Sequence, residues 1–174
     1  MNREWAMPSG NTFSIPPIKD FVERYLHEGQ IVIDPFANSC KYGTITNDLN
    51  PEYDTDYHME ALDFLKMIET ESADVVLYDP PYSTRQVKEL YQGFGKDKLI
   101  PEMTNTKYWQ WCKDEVARIL KPDGVCLSFG WNSNGLGMVR DCNIIEILLV
   151  AHGGIHNDTI CVAERKNGQY RLFD

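Results

Sequence analysis

Two short apolar runs in this chain end in the same way. Ile31-Val32-Ile33 stops at Asp34-Pro35, and Val75-Val76-Leu77-Tyr78 stops at Asp79-Pro80. Short runs of β-branched and aromatic residues closed by such breakers read as buried strands leaving a sheet. Between and after them the pattern alternates. Ile18 to His27 is helical by spacing, with Phe21, Val22, Tyr25 and Leu26 on one face; so are Met59 to Ile68, in part, and Lys107 to Leu120. Thr44 to Asp48 and Val125 to Phe129 read as further strands. Ile144 to Ala151 and Thr159 to Glu164 read as an antiparallel pair joined through Gly153-Gly154. Asn11 to Pro17 is expected to be extended, Lys121 to Gly124 a turn, and 133–142 a small helix or glycine-rich loop. Strands alternating with helices before a terminal hairpin predict an α/β fold: a mostly parallel, doubly wound sheet, helices on both faces, one antiparallel strand near an edge. A length of 174 residues predicts one domain.

The acids are placed with the strands. Asp34, Asp48 and Asp79 each follow a predicted strand, so all three fall on the carboxyl edge of one sheet. Ligands of open α/β sheets bind at that edge. A single Asp-Pro is as well explained as a turn or helix cap. Three in succession point to a site, and an acid after the second strand is the usual partner of ribose hydroxyls.

At these residues the chain resembles a known family, the S-adenosylmethionine-dependent amino-methyltransferases of DNA, which modify adenine N6 or cytosine N4. Asp34-Pro35-Phe36-Ala37-Asn38-Ser39-Cys40 is similar to their cofactor signature, and Asp79-Pro80-Pro81-Tyr82 matches their catalytic signature in full. Asp48-Leu49-Asn50-Pro51 resembles the ribose-binding acidic turn, and Glu60-Ala61-Leu62 the motif whose acid meets the cofactor's adenine. Phe13-Ser14-Ile15 resembles the N-terminal motif over the methionine moiety, and Leu120 to Gly124 the turn before the fifth strand. The likeness runs from about residue 11 to 165. It implies a Rossmann-like methyltransferase sheet, S-adenosylmethionine as cofactor, and a nucleobase amine in DNA as substrate. The departures are Asn38 and Cys40, which stand where the family has glycines. Asn tolerates left-handed backbone angles, so Asn38 is a workable substitute.

The catalytic tetrapeptide suits that chemistry. An exocyclic amine is a poor nucleophile because its lone pair is delocalised into the ring. Asp79 can accept one amine hydrogen and the Pro80 carbonyl the other, which orients the nitrogen and stabilises charge developing on it. The prolines fix the turn. Tyr82 offers a ring for base stacking, worth about 1–3 kcal/mol. A duplex base must be flipped to reach such a pocket.

Composition enters through charge. The chain totals −9, yet residues 84–121 carry eight basic against five acidic side chains, a balance of +3 that leaves −12 elsewhere. Residues 83–106 are expected to form an irregular insertion, with Arg85, Lys88, Lys96 and Lys98 as nucleic-acid contacts. No separate target-recognition domain is expected, so specificity is relaxed, short, or supplied by a second subunit or a homo-oligomer. Five widely spaced cysteines without a CxxC pair indicate neither a zinc site nor a disulfide framework, and fit a cytoplasmic setting. His152 and His156 are poor metal ligands because glycines separate them, and no metal is expected. No membrane span is expected. Trp109, Trp111 and Trp131 are candidates for either core or substrate contact. Cytosine N4, an RNA base such as guanine N2, a protein amine, and a non-catalytic subunit retaining the fold are the competing readings.

Overall fold

In the computed structural model, which describes residues 1–81, 106–154 and 156–168, the strands form one seven-stranded sheet. In chain order the elements are β1 (Asn2–Trp5), α1 (Pro16–Glu23), β2 (Val32–Asp34), β3 (Ile45–Thr46), α2 (Ala61–Met67), β4 (Ala73–Tyr78), α3 (Thr106–Ile119), β5 (Leu120–Gly130), β6 (Cys142–Ala151) and β7 (Thr159–Lys166). The sheet order is β1-β6-β7-β5-β4-β2-β3. Only β7 is reversed, antiparallel to both β5 and β6. It lies inside the sheet, with β6 and β1 beyond it. The edge strand β1 has no sequence signal: Asn-Arg-Glu-Trp lacks apolar alternation, all four residues are exposed, and the strand exists by pairing with β6.

Alternation along β4 explains the two cores. Val75 and Leu77 face α1, in a cluster with Ile18, Phe21, Val22, Val32 and Phe129. Val76 and Tyr78 face α2 and α3, with Phe64, Leu65, Val116 and Ile119. Helices thus cover both faces. α1 starts at Pro16-Pro17, where a fixed φ suits a first turn. It ends at Glu23, short of the expected His27, because Arg24 and Tyr25 turn to grip Glu146 on β6 at 2.6 and 2.7 Å. Tyr25 and Leu26 still pack on the core.

The predicted turn Lys121–Gly124 is embedded in β5 as a bulge. The pairing with β4 jumps from Ala73–Leu120 to Val75–Val125, which leaves residues 121–124 outside the ladder.

Two crossovers lack an α-helix. Ten residues, 35–44, join the parallel strands β2 and β3, where a dozen or more with a helix is usual. Residues 131–141 return from β5 to β6 with a single 3-10 turn, Met138–Arg140. Glu164 of β7 anchors this second crossover. Its carboxylate is fully buried and accepts the amides of Leu136 at 2.5 Å and Gly137 at 2.8 Å. A Cβ at Gly135 would collide with that carboxylate. Arg140 clips the same segment to α3 through Asp114 and Gln110. Among the described residues no helix is long and apolar enough to cross a membrane.

Candidate active site

Three adjacent parallel strands, β3, β2 and β4, present their carboxyl ends together. Asp34 ends β2, Asp48 lies two residues beyond β3, and Asp79 follows β4 directly. The charges of Asp79 and Asp48 both act on Asp34. The three acids expected at one edge are therefore neighbours in space.

Asp34 is fully buried. One carboxylate oxygen accepts the amide of Phe36 at 3.1 Å; the other, Oδ2, has no hydrogen-bond partner among the described residues. Burial is the main reason its carboxyl is pushed up to about 8; the Phe36 amide opposes the shift, and the two neighbouring acids add to it. An orphaned buried carboxylate is costly unless a ligand uses it.

Asp48 is committed on both oxygens, to the amide of Asn38 at 2.9 Å and that of Asn50 at 2.9 Å. It is thus the brace that holds the loop after β2. Asn38 adopts φ +50°, the left-handed backbone its glycine-like position requires. Cys40 does not stand in for a glycine at a close approach. Its amide closes a turn onto the carbonyl of Ala37 at 2.7 Å, and its thiol packs in the core beside α1 and accepts the amide of Tyr42 at 3.4 Å. Burial pushes that thiol up to about 11. The glycine that close approach demands is Gly43, where a Cβ would lie 2.7 Å from Thr46 Cγ2 and 3.0 Å from Asp34 Cβ.

The other expected residues fall around this edge. Pro35 and Ala37 are buried in the loop, and Phe36 stacks edge-on against Tyr78 at 5.7 Å. Leu49 packs half-buried on the α2–α3 core; Glu60 leads into α2, whose first residues, Ala61 and Leu62, are buried. The segment Thr12–Ser14 is a 3-10 turn rather than extended chain. Phe13 packs against Phe129 at 5.1 Å, one residue from the end of β5, and Ile15 is buried. Ser14 is exposed. Asn11 joins this turn to the loop after β2 through Ser39 Oγ at 3.1 Å. Asp79, Pro80 and Pro81 are half-buried. Tyr82 and the four cations Arg85, Lys88, Lys96 and Lys98 lie outside the described residues.

Trp109 packs on Phe36 at 6.3 Å and Tyr108 at 5.0 Å, whereas Trp111 and Trp131 are exposed. His152 is buried and engaged by the Ala6 carbonyl and the Thr159 hydroxyl, each at 2.9 Å. All five cysteines are free and buried. Two site residues carried no signal in the sequence: Gly43, and Asn47, whose side chain bridges Pro35 and Met59.

No protein-family model matches the chain, and no curated protein matches it. Solved structures do resemble it. The 1,6-didemethyltoxoflavin-N1-methyltransferase of Burkholderia thailandensis, solved with 1,6-didemethyltoxoflavin and S-adenosylhomocysteine, superposes with a TM-score of 0.58 at 11% identity, over 87% of this chain and 77% of that one. A SAM-dependent methyltransferase from Methanosarcina mazei gives 0.57 at 11% identity, over 86% and 98%. TrmN from Thermus thermophilus gives 0.53 at 14% identity, over 87% of this chain but only 49% of that one. At such identities the likeness shows the fold, which is the Rossmann-like methyltransferase fold expected from the sequence.

Proposed function

We propose that this chain is an S-adenosylmethionine-dependent amino-methyltransferase acting on a nucleobase, with adenine N6 in DNA as the substrate its motifs favour. One observation carries the reading: Asp34, Asp48 and Asp79 converge at the ends of three adjacent parallel strands of a methyltransferase fold, and Asp79 opens an intact Asp-Pro-Pro-Tyr. The residues fit the cofactor. Asp34 offers a sealed, partnerless carboxylate oxygen, the complement of a ligand cation, and S-adenosylmethionine carries an ammonium and a sulfonium. Asp34 would hold a cationic group, with Phe13 to Ile15 and the loop from Pro35 to Asn38 around it. The Asp48–Leu49 turn and Glu60 would flank the nucleoside, with Ala61 and Leu62 behind them. When bound, the cofactor supplies the methyl group.

The protein's part in catalysis is orientation and electrostatics. The Asp79 carboxylate accepts one hydrogen of the target amine and the Pro80 carbonyl accepts the other. Both acceptors are fixed at the end of β4, so they need no reorganisation as positive charge builds on nitrogen. Asp79 then holds the proton that nitrogen gives up. Tyr82 stacks the base, and Arg85, Lys88, Lys96 and Lys98 meet the phosphate backbone.

The test is transfer of labelled methyl from S-adenosylmethionine to defined DNA oligonucleotides by the purified protein. Label in DNA supports the reading. Label confined to RNA moves the substrate to an RNA base. Cofactor binding without transfer to any nucleic acid overturns it.

A further inference from the structure

Asn47 follows β3 directly and is 1% exposed. Its backbone amide donates to the Asp34 carbonyl at 2.8 Å, and its carbonyl accepts the Ala37 amide at 2.9 Å. Its side chain does more. Nδ2 donates to the Pro35 carbonyl at 3.1 Å and the Met59 carbonyl at 3.0 Å, while Oδ1 accepts the Met59 amide at 3.0 Å. Both Nδ2 hydrogens are used, and each on a different loop. One loop runs from Asp34 to Asn38; the other is the approach to Glu60. Asn47 thus ties these two loops together through its side chain.

We propose that Asn47 is a positioning residue for the ligand site: it sets the gap between the loop after β2 and the Met59–Glu60 turn, and through that gap the affinity for the nucleoside half of the cofactor. The inference rests on the cofactor reading above and goes beyond it, because Asn47 belongs to none of the motifs that identify the site.

The chemistry of the clamp is specific to an amide. Two carbonyl oxygens converge on Nδ2 and one amide hydrogen meets Oδ1. A carboxylate of the same shape keeps the acceptor and loses both donors, and it then faces two carbonyl oxygens with negative charge. The loops must part to relieve this. Asp48 cannot compensate, because both of its oxygens already hold Asn38 and Asn50. The strands themselves are untouched: the core contacts of β2 and β4 lie on side chains that Asn47 does not support. Loss of affinity is therefore read beside loss of stability, and a destabilised control away from the loops tells the two apart.

The experiment is calorimetric binding of S-adenosylhomocysteine and of 5′-methylthioadenosine, with thermal unfolding measured alongside. The proteins are the wild type, Asn47→Asp, Asn47→Ser, and Ile119→Val as a destabilised control distant from the loops. Asn47→Asp is expected to weaken both ligands by the same factor, about tenfold or more, the equivalent of one lost buried hydrogen bond. Asn47→Ser, which retains one hydroxyl, is expected to weaken both by less. Ile119→Val is expected to lower the melting temperature and leave both affinities unchanged. Wild-type affinity in folded Asn47→Asp would overturn the proposal, as would a loss confined to S-adenosylhomocysteine. If Asn47→Asp does not fold, Asn47→Ser decides by the same criteria. A wild type that binds neither compound overturns the cofactor reading itself, and the proposal with it.

Discussion

Asp34 concentrates the physical tension of the site. It is sealed from water, one of its oxygens is partnerless, and two other acids act on it. Its carboxyl rises from 3.8 to about 8, so in the free protein near neutral pH the acid is mostly protonated. The linkage has a definite sign. A folded-state value above the unfolded one means that Asp34's contribution to stability is full below pH 4 or so and is lost as pH rises through about 8. A cationic ligand group reverses the preference and expels the proton. Binding of S-adenosylhomocysteine, which carries an ammonium, is therefore expected to release about one proton at pH 7 and to tighten as pH rises toward 8. Titration calorimetry in buffers of different ionisation enthalpy measures this directly. Asp34→Asn should abolish the release, and a buffer-independent enthalpy in the wild type would contradict the assignment. The three acids were legible in the sequence because a strand end is a local feature. Asn47 and Gly43 were not, because one is defined by loops brought together in space and the other by the approach of Asp34 and Thr46.

Among the elements, the two crossovers without an α-helix distinguish this fold. Where a helix would satisfy its own backbone, an irregular crossover needs outside partners. Residues 35–44 use Asp48 and Asn47. Residues 131–141 use Glu164, a fully buried acid that follows the apolar run Ile160–Ala163 of β7. Glu164→Ala would strand two amides, one of them buried, and is expected to cost roughly 2–5 kcal/mol; Glu164→Gln, which keeps an acceptor oxygen, should cost less. Denaturant unfolding of both variants checks the order, and equal stability of all three proteins would refute the anchor. Most elements were legible through their periodicity, including α3 and the hairpin of β6 and β7. Their ends were not. α1 stops where Arg24 and Tyr25 reach Glu146, a residue 121 or more positions away, and β1 exists only through its neighbour β6. Lys121–Gly124 carries turn residues, yet it lies inside β5 as a bulge, an outcome that depends on pairing with β4.

On the scale of the molecule, the site sits where three parallel strands end, and both cores support it. The α1 core includes Phe13 and Cys40, and the α2–α3 core has Phe36 and Leu49 packed against it. Under the proposed function, residues 84–121, with their basic balance in a chain of net charge −9, are where a phosphate backbone would be met. The fold follows from the sequence pattern; base and polymer do not, because the proposed acceptors, Asp79 and the Pro80 carbonyl, would serve any exocyclic amine. Methyl transfer to such an amine, with Asp79 as an acceptor, underlies the proposed function. Mass spectrometry of nucleosides from DNA treated with S-adenosylmethionine and either wild type or Asp79→Ala tests it most directly. N6-methyladenine is expected from the wild type, and a yield at least about a hundredfold lower from a variant that still binds S-adenosylhomocysteine. A wild type that binds the cofactor but leaves no methylated base in DNA or RNA, or an Asp79→Ala variant of undiminished yield, would contradict it.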